Sequence, residues 1–319
     1  MYAAVVTSFD APPRYEHVPT PRPGGPDQML VDVLAAGLHP RVRSQADGSH
    51  YTSTAELPLV PGIDGVGRGP DGLLRYFVLH DTAVGAMAQR TVIDARRSIV
   101  LPDSSDPVAV AAAMNPAMSC WLALRQRIRF EPGQRVLVLG ATGNAGRLAV
   151  QIARLLGAGA VLAAGRDAGR LAALPALGAT ATVPLGGGSD LAALGRAAAE
   201  VDVVLDYLWG EPAAAVMAAV VTDRADRSRP LTWIQIGSVA GPTAAIPSAA
   251  LRAARLDILG SGQGSIGNRD ILAELPALAD RIATGALAAD ARAVPLAEVE
   301  RAWAEAARTT ERVVLVPSA

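Results

Sequence analysis

Blocks of apolar residues separated by glycine-rich turns run through the second half of the chain. In the clearest block, the four residues Val136–Leu139 are all apolar, which is typical of a short strand buried on both faces. A G-x-x-G-x-x-G turn follows over residues 140–146. Leu148, Ile152 and Leu155 then recur at helical spacing. The pattern predicts a strand, a tight turn and an amphipathic helix.

The same alternation continues to about residue 260. The most distinct helices are predicted over residues 146–156 and 211–221. Successive strands joined by helices pair in parallel, so this segment is predicted to form a doubly wound sheet of the α/β class. The predicted strands cover residues 135–140, 160–164, 180–183, 201–206, 231–237 and 256–260.

The first 101 or so residues show a different pattern, in which short β-type runs alternate with turn residues. The runs AAVV and MLVDVLAAGL are separated by PTPRPGGP, whose prolines disfavour both a helix and a central strand. Turn signals recur about every ten positions, which predicts a compact, barrel-like β unit.

Two further segments are predicted to be helical. Residues 107–128 form a mostly apolar helical pattern in which Pro116 predicts either a break or a kink. Near the end, LAEVERAWAEAAR predicts an amphipathic helix and RVVLVP a closing strand. Because this ending does not continue a sheet that already has six strands, the last fifty or so residues are predicted to return to the β-rich part.

Composition narrows the class of protein. The chain has 319 residues, half of them hydrophobic, and a formal net charge of −1, so nothing in its charge favours nucleic acid or an anionic membrane as a partner. We expect no membrane span, because no apolar run approaches about 18 residues, and no secretory signal at MYAAVVTSFD. A single cysteine excludes an intrachain disulfide and fits a reduced, cytoplasmic setting.

The glycine turn is predicted to hold a phosphate. Glycines allow a sharp bend and a close approach, and the free N–H groups and dipole at a helix start favour negative charge. We expect the diphosphate of a dinucleotide to lie against Thr142, Gly143, Asn144 and Ala145. The alternative is a tight α/β connection that binds nothing.

An ordered set of motifs resembles one family. LPLVPGIDGVG, GAMAQRTVI, EPGQRVLVLGATGNAGRLAVQIARLLGA, VDVVLDYLWG, IQIGSVAG, ILGSGQGS and RVVLVP occur in the order seen in the medium-chain dehydrogenase/reductase superfamily, in its zinc-independent, quinone oxidoreductase-like branch. The resemblance implies a GroES-like, β-rich catalytic domain over residues 1–117 and 262–319. It also implies an inserted Rossmann domain over residues 118–261, with the cofactor between them and a homodimer as the assembly.

Zinc is not expected. Zinc-dependent members of the superfamily bind the metal through cysteine and histidine, and structural zinc takes four cysteines. Ile63 and Asp64 stand where those members have a histidine–glutamate pair, and the first domain contains no cysteine.

The turn after the second predicted Rossmann strand indicates which nicotinamide is bound. An acidic residue there would bind the ribose hydroxyl of NAD, whereas an arginine accommodates the 2′-phosphate of NADP. The chain has Gly165, Arg166 and Asp167, with Arg170 one helical turn later, which predicts NADP(H). Two alternatives are a surface Arg166 paired with Asp167, and a shifted turn that places Asp167 at the ribose.

The resemblance places two candidate catalytic residues in the first domain. Tyr51 occupies the position of a catalytic tyrosine in related enoyl reductases, and its phenol would donate a proton or hydrogen bond. His39 replaces an asparagine near the nicotinamide ribose, where it would bind ribose or substrate and titrate near neutrality. The alternatives are a packing role for Tyr51 and a structural role for His39.

The remaining candidate residues surround the cofactor in the relatives. Ser119 takes the place of a threonine that contacts nicotinamide, and the neighbouring Cys120 is interpreted as a small buried side chain. The candidates are Asn115, Ser119, Gly237, Ser238, Val239, Gly262 and Gly264. For the turns that contain the glycines, the alternative is turn geometry alone.

The predicted function is NADPH-dependent hydride transfer, without zinc, to a quinone or an α,β-unsaturated carbonyl. The alternative is a non-catalytic NADP(H)-binding redox sensor or regulatory protein, since GATGNAG also resembles the motif of NmrA-like sensors. Those sensors begin with the motif, whereas here about 130 residues precede it.

Overall fold

A computed structural model describes residues 1–50, 52–79, 82–186, 188–262, 264–306, 309 and 311–317. The chain divides into two compact units. The first unit comprises Met1–Asn115 and Leu272–Ala319, and the second comprises Pro116–Ile271.

The first unit is built on β-strands, as its alternating pattern predicts. β1 and β2 form a separate antiparallel pair, while β14, β15, β3, β4, β5 and β7 follow one another in a larger sheet, with β6 paired to β3. The strands are β1 (Tyr2–Val5), β2 (Arg14–His17), β3 (Gln28–Leu38), β4 (Asp64–Arg68), β5 (Leu74–Val78), β6 (Arg90–Asp94), β7 (Ser98–Val100), β14 (Ala291–Pro295) and β15 (Arg312–Val316).

The predicted return of the chain end to the β-rich part is confirmed. β15 pairs antiparallel with β3, so that Val314 lies opposite Gly37, and β14 pairs parallel with β15. The predicted terminal helix is shorter than its pattern: a 3₁₀ turn over Leu296–Glu298 precedes α9 (Val299–Glu305). The unit also contains α1 (Pro40–Ala46), a 3₁₀ turn over Ala95–Arg97 and α8 (Asn268–Ala283), which begins in the second unit.

The second unit has a six-stranded sheet in which every neighbouring pair is parallel. Its order, β10-β9-β8-β11-β12-β13, is the 3-2-1-4-5-6 order of a dinucleotide-binding Rossmann sheet. The predicted fold class is therefore confirmed. The strands are β8 (Arg135–Leu139), β9 (Ala160–Gly165), β10 (Ala181–Pro184), β11 (Val203–Asp206), β12 (Leu231–Gln235) and β13 (Leu256–Gly260).

Helices connect these strands, and apolar side chains between the helices and the sheet form the core of the unit. Trp233 on β12 is fully buried in this core. The helices are α3 (Asn144–Leu155), α4 (Ala168–Ala173), a 3₁₀ turn (Leu174–Leu177), α5 (Gly188–Ala198), α6 (Gly210–Asp223) and α7 (Ser248–Ala253).

A long apolar helix, α2, covers Pro107–Leu122 and continues as a π-helical turn over Ala123–Arg127. The helix assignment is continuous through Pro116, so the predicted break does not occur. The combined stretch Pro107–Arg127 is long and apolar enough to cross a membrane, by length and composition alone. However, 67% of its most apolar 18 residues are buried inside the protein, which is typical of a core helix.

Gly146 allows α3 to approach the turn before it. A Cβ at this position would overlap the carbonyl oxygen of Gly140 and lie 2.6 Å from the Cα of Ala141. Both obstacles are backbone and cannot rotate away. The third glycine of the motif is thus required for close packing of the helix against the strand.

Replacing Gly146 by alanine should lower the free energy of unfolding by about 1–3 kcal/mol through overpacking, even though alanine favours helix formation. Gly169 in α4 provides the matched control, because a Cβ there would meet only Asp167 Oδ1 at 3.5 Å. Gly169→Ala should leave stability unchanged or raise it by about 0.5 kcal/mol. Urea unfolding of the two variants measures the difference, and equal effects would contradict the packing argument.

Candidate cofactor site

The glycine turn after β8 has the geometry of an anion site. Gly140 adopts a φ of +82°, which glycine adopts without strain, and Gly143 is the N-cap residue of α3. Among the residues that the structure describes, no side chain caps the first turn of α3, and no acidic residue lies in that turn. Its free N–H groups therefore remain available for a phosphate. Within this turn Thr142, Asn144 and Ala145 are half-buried and Gly143 is exposed, whereas Ala141 and Gly146 are buried.

The turn after β9 lies directly against the glycine turn. A Cβ on Gly165 would lie 2.6 Å from Thr142 Cγ2, so a larger residue would displace the Thr142 side chain. Arg170 Nη1 donates to the carbonyl oxygen of Thr142 at 3.0 Å. Arg170 is thus placed where it ties the two turns together, which gives it a structural role that the sequence did not indicate.

Asp167 is engaged by the helix that follows it. Its side chain is the N-cap of α4 and accepts the N–H of Arg170 at 2.9 Å, and the two side chains also form an ion pair at 3.6 Å. Arg166 is exposed and lies beside this cap. In this arrangement the carboxylate of Asp167 is occupied, while the Arg166 guanidinium faces solvent.

Asp206 lies at the end of β11 and accepts hydrogen bonds from the turn that follows this strand. It was not among the predicted site residues. It is fully buried, and its Oδ1 accepts the N–H groups of Leu208 at 2.8 Å and Trp209 at 3.0 Å. Its Oδ2 accepts Trp233 Nε1 at 2.9 Å. Burial raises the pKa of the Asp206 carboxyl, although these three hydrogen bonds act in the opposite direction. The signal in the sequence was the aspartate that directly ends the apolar run VDVVLD.

The turns after β12 and β13 complete the edge of the sheet. Gly237 closely approaches the neighbouring strand, since a Cβ there would lie 2.8 Å from the carbonyl oxygen of Tyr207. Ser238 and Val239 are exposed, Val239 to 79%. Gly262 and Gly264 are also exposed, and Gly264 has a φ of +95°. Because all six strands are parallel, these turns share one edge with the glycine turn, which is where Rossmann sheets bind dinucleotides.

Ser119, on α2 within the second unit, forms a hydrogen-bonded pair with Tyr207. The two hydroxyl oxygens are 3.0 Å apart, and Ser119 Oγ also donates to the carbonyl oxygen of Pro116 at 2.7 Å. The next residue, Cys120, is completely buried, and burial raises the pKa of its thiol. Cys120 therefore has the environment of a packed apolar side chain and not of a nucleophile.

In the first unit, His39 belongs to a buried polar cluster. His39 is 3% exposed, and its Nε2 lies 2.9 Å from Asp64 Oδ1, while the Tyr76 hydroxyl donates to Asp64 Oδ2 at 2.8 Å. The guanidinium of Arg312 lies close enough to interact electrostatically with His39 and Asp64. Burial lowers the pKa of this guanidinium to about 10. Since the Asp64 carboxylate accepts, His39 Nε2 carries the hydrogen, and Nδ1, which has no hydrogen-bond partner among the described residues, is an acceptor.

Burial lowers the pKa of His39 below its ordinary value of 6.5, and the positive charges of Arg312 and Arg41 act in the same direction. The bond to Asp64 raises it, but by less. The pKa of His39 therefore lies on the acidic side of the near-neutral value expected from the sequence. The neutral imidazole is the form present at neutral pH.

This shift makes stability depend on pH. Because the folded-state pKa of His39 is depressed, the stability it confers is complete above about pH 6.5 and is lost as the pH falls through the folded-state pKa. His39→Asn should reduce this acid-side loss in urea unfolding measured from neutral to acidic pH. The exposed His17 is the matched control, and His17→Asn should leave the His39 contribution in place. If the free energy of unfolding of His39→Asn fell with decreasing pH as steeply as that of the unsubstituted protein, the lowered pKa of His39 would be contradicted.

The other two predicted residues of the first unit are less informative. Tyr51 lies outside the described residues. Asn115 is half-buried on α2. Within the described ranges, no group of three or more histidine, cysteine, aspartate or glutamate side chains is arranged to hold a metal ion.

Comparison with known proteins identifies the family, although no family model matches the chain. A probable NADPH-dependent quinone reductase of Emericella nidulans is 32% identical, and the match covers 99% of this chain and 100% of that protein. The quinone oxidoreductase of Thermus thermophilus, whose structure is also known in complex with NADPH, is 25% identical and superposes with a TM-score of 0.83 over 99% of this chain and 100% of that one. A 2-haloacrylate reductase, 23% identical, has the same fold with a TM-score of 0.82 over 100% of both chains. The chain therefore belongs to the medium-chain dehydrogenase/reductase superfamily, in its quinone oxidoreductase-like branch.

Proposed function

We propose that this protein is an NADPH-dependent oxidoreductase that transfers hydride to a quinone or an α,β-unsaturated carbonyl compound. The observation that carries the proposal is the edge of the parallel sheet, where an uncapped helix start and Gly165 leave room for a dinucleotide. The relatives named above are reductases, and the full-length relative is described as NADPH-dependent. They support the enzyme and not the non-catalytic sensor that the sequence left open.

The residues present fit the diphosphate and the 2′-phosphate of this cofactor. The N–H groups of Asn144 and Ala145, at the start of α3, bind the diphosphate, and Gly143 lets it approach, while the Gly143 N–H is donated to the carbonyl oxygen of Gly140. Arg166 binds the 2′-phosphate, and the helix cap formed by Asp167 Oδ1 supports this assignment. Ser119, Asn115 and the turns containing Gly237–Val239 and Gly262–Gly264 bind the nicotinamide half.

When bound, NADPH supplies a hydride from C4 of its nicotinamide ring. The chain contributes orientation, exclusion of water and hydrogen bonds. His39 Nδ1 accepts a hydrogen bond from a ribose or substrate hydroxyl, since its Nε2 is held by Asp64. Tyr51 is proposed to donate to the carbonyl oxygen of the acceptor, on which negative charge develops as the hydride arrives.

Rapid mixing of the protein with NADPH and a panel of quinones and enones tests the activity directly. We expect loss of the absorbance of reduced nicotinamide in the presence of at least one acceptor class, and none without protein. Tight NADPH binding without turnover of any acceptor would contradict the enzyme and favour the sensor.

Three finer features belong to the same proposal. Catalysis is independent of zinc, the protein is cytoplasmic and it forms a homodimer, the last as the family resemblance implies. Metal analysis together with turnover in the presence of a chelator tests the first feature. Light scattering after size exclusion tests the assembly, and a monomer at assay concentrations would contradict it.

A further inference from the structure

Tyr207 lies among the residues proposed to bind the cofactor, although neither the motif nor the family resemblance assigns it a role. It follows β11 directly. A Cβ added to Gly140 would lie 3.3 Å from the Cβ of Tyr207, and Val239 donates its N–H to the carbonyl oxygen of Tyr207 at 3.4 Å. Tyr207 is therefore packed between the phosphate-binding turn and the turn that follows β12.

The direction of the hydrogen bond between Tyr207 and Ser119 is fixed by the rest of the network. A serine hydroxyl has one hydrogen, and that of Ser119 is donated to the carbonyl oxygen of Pro116 at 2.7 Å. The hydrogen between the two hydroxyl oxygens, 3.0 Å apart, must then come from Tyr207. Burial raises the pKa of the Tyr207 phenol well above its ordinary value, so the phenol keeps this hydrogen at any pH of interest.

This arrangement determines what Ser119 offers to a ligand. Its hydrogen is used on Pro116 and one lone pair is used by Tyr207, so a single lone pair remains. Ser119 is half-buried, whereas Tyr207 is only 8% exposed. Ser119 thus presents a hydrogen-bond acceptor and cannot offer a donor without breaking its bond to the backbone.

The pair is unsuited to proton transfer. The chain of hydrogen bonds runs from Tyr207 to Ser119 and ends on the carbonyl oxygen of Pro116, which has no proton to pass on. Its effect is to hold one oxygen in one place. In the nicotinamide half of NADPH, the ribose hydroxyls and the amino group of the carboxamide can supply a hydrogen to such an acceptor, and of these only the amino group belongs to the ring.

We propose that Tyr207 is a positioning residue that holds Ser119 as a hydrogen-bond acceptor for the carboxamide amino group of the nicotinamide. The inference rests on the proposed function and extends it to recognition of the nicotinamide ring. By fixing the carboxamide, the pair sets the rotation of the ring and so favours pyridine nucleotides that carry an amide over those that do not.

The test compares two cofactors in four proteins. The dissociation constants of NADPH and of its analogue with an acetyl group in place of the carboxamide are measured for the unsubstituted protein, Ser119→Ala, Ser119→Thr and Tyr207→Phe. We expect the preference for NADPH to fall about five- to tenfold in Ser119→Ala, the loss expected for one hydrogen bond, and severalfold in Tyr207→Phe. Ser119→Thr, which retains the hydroxyl, should keep the preference.

Adenosine 2′,5′-bisphosphate serves as a probe of the adenine half and shows that each variant is folded. Its affinity should be the same in all four proteins. Tyr2→Phe, which removes a hydroxyl from an exposed residue of the first unit, is the matched control and should leave the preference unchanged. If Ser119→Ala or Tyr207→Phe left the preference for NADPH unchanged, this inference would be overturned, while the proposed function would stand. Failure of the unsubstituted protein to bind NADPH would overturn the proposed function, and this inference with it.

Discussion

Arg166→Ala is expected to weaken NADPH binding by about 1.5–3 kcal/mol and to leave NADH binding almost unchanged. This is the magnitude of a charge-assisted hydrogen bond, and only NADPH carries the 2′-phosphate that would accept it. Arg166 is exposed at the carboxyl end of β9, where such a phosphate would lie. Calorimetric titration of both cofactors gives the two dissociation constants and their ratio.

The matched control for Arg166 removes the same charge elsewhere in the second unit. Arg129 has a side chain that is 93% exposed and is paired only loosely with Glu131. Arg129→Ala should leave both affinities unchanged, which excludes a general electrostatic effect. Equal losses of NADPH and NADH binding in Arg166→Ala would show that the arginine does not recognise the 2′-phosphate.

The structure strengthens the case for Arg166 through its neighbour. The sequence predicted NADP(H) through Arg166 and left a shifted turn with Asp167 at the ribose as an alternative, because residue order does not show which side chain caps the next helix. In the structure Asp167 accepts the N–H of Arg170 as a helix cap, which supports the proposal that Arg166 meets the 2′-phosphate. Helix caps depend on local backbone angles, so they are settled by geometry rather than by spacing.

The parallel sheet was largely predictable because its strands are continuous apolar runs between glycine-rich turns. The differences are at strand ends. β12 was predicted to continue to residue 237, but it ends at Gln235. Beyond that residue the N–H groups of Ile236 and Gly237 both turn to the carbonyl oxygen of Asp206. Such a convergence of two consecutive N–H groups on one acceptor leaves no signal in apolar periodicity.

The polar clusters of the site were less predictable than its glycine turns. His39 and Asp64 are 25 residues apart in the chain, and Ser119 and Tyr207 are 88 apart. Each pair depends on long-range packing, whereas the glycine turn is encoded within a few residues. The motif consequently located the phosphates, but it gave no indication that Asp206 and Tyr207 support the neighbouring turns.

Asp206→Ala is expected to lower the free energy of unfolding by about 2–4 kcal/mol. The change leaves the N–H groups of Leu208, Trp209 and Trp233 without their acceptor, and the last of these lies in the core. Trp209 needs this support in particular, since it is the one described non-glycine residue with a positive φ, of 53°. Chemical unfolding monitored by tryptophan fluorescence measures the loss.

A double-mutant cycle separates the hydrogen bond from the loss of volume. Asp206→Asn keeps the shape but turns an amide N–H₂ toward one of the donors, and Trp233→Phe removes the buried indole N–H and also leaves a cavity. Because the second change relieves the donor conflict created by the first, the double variant should be about 1–2 kcal/mol more stable than the sum of the single effects predicts. Strict additivity would show that the Asp206 side chain and the Trp233 indole are not coupled, and would contradict the role given to their hydrogen bond.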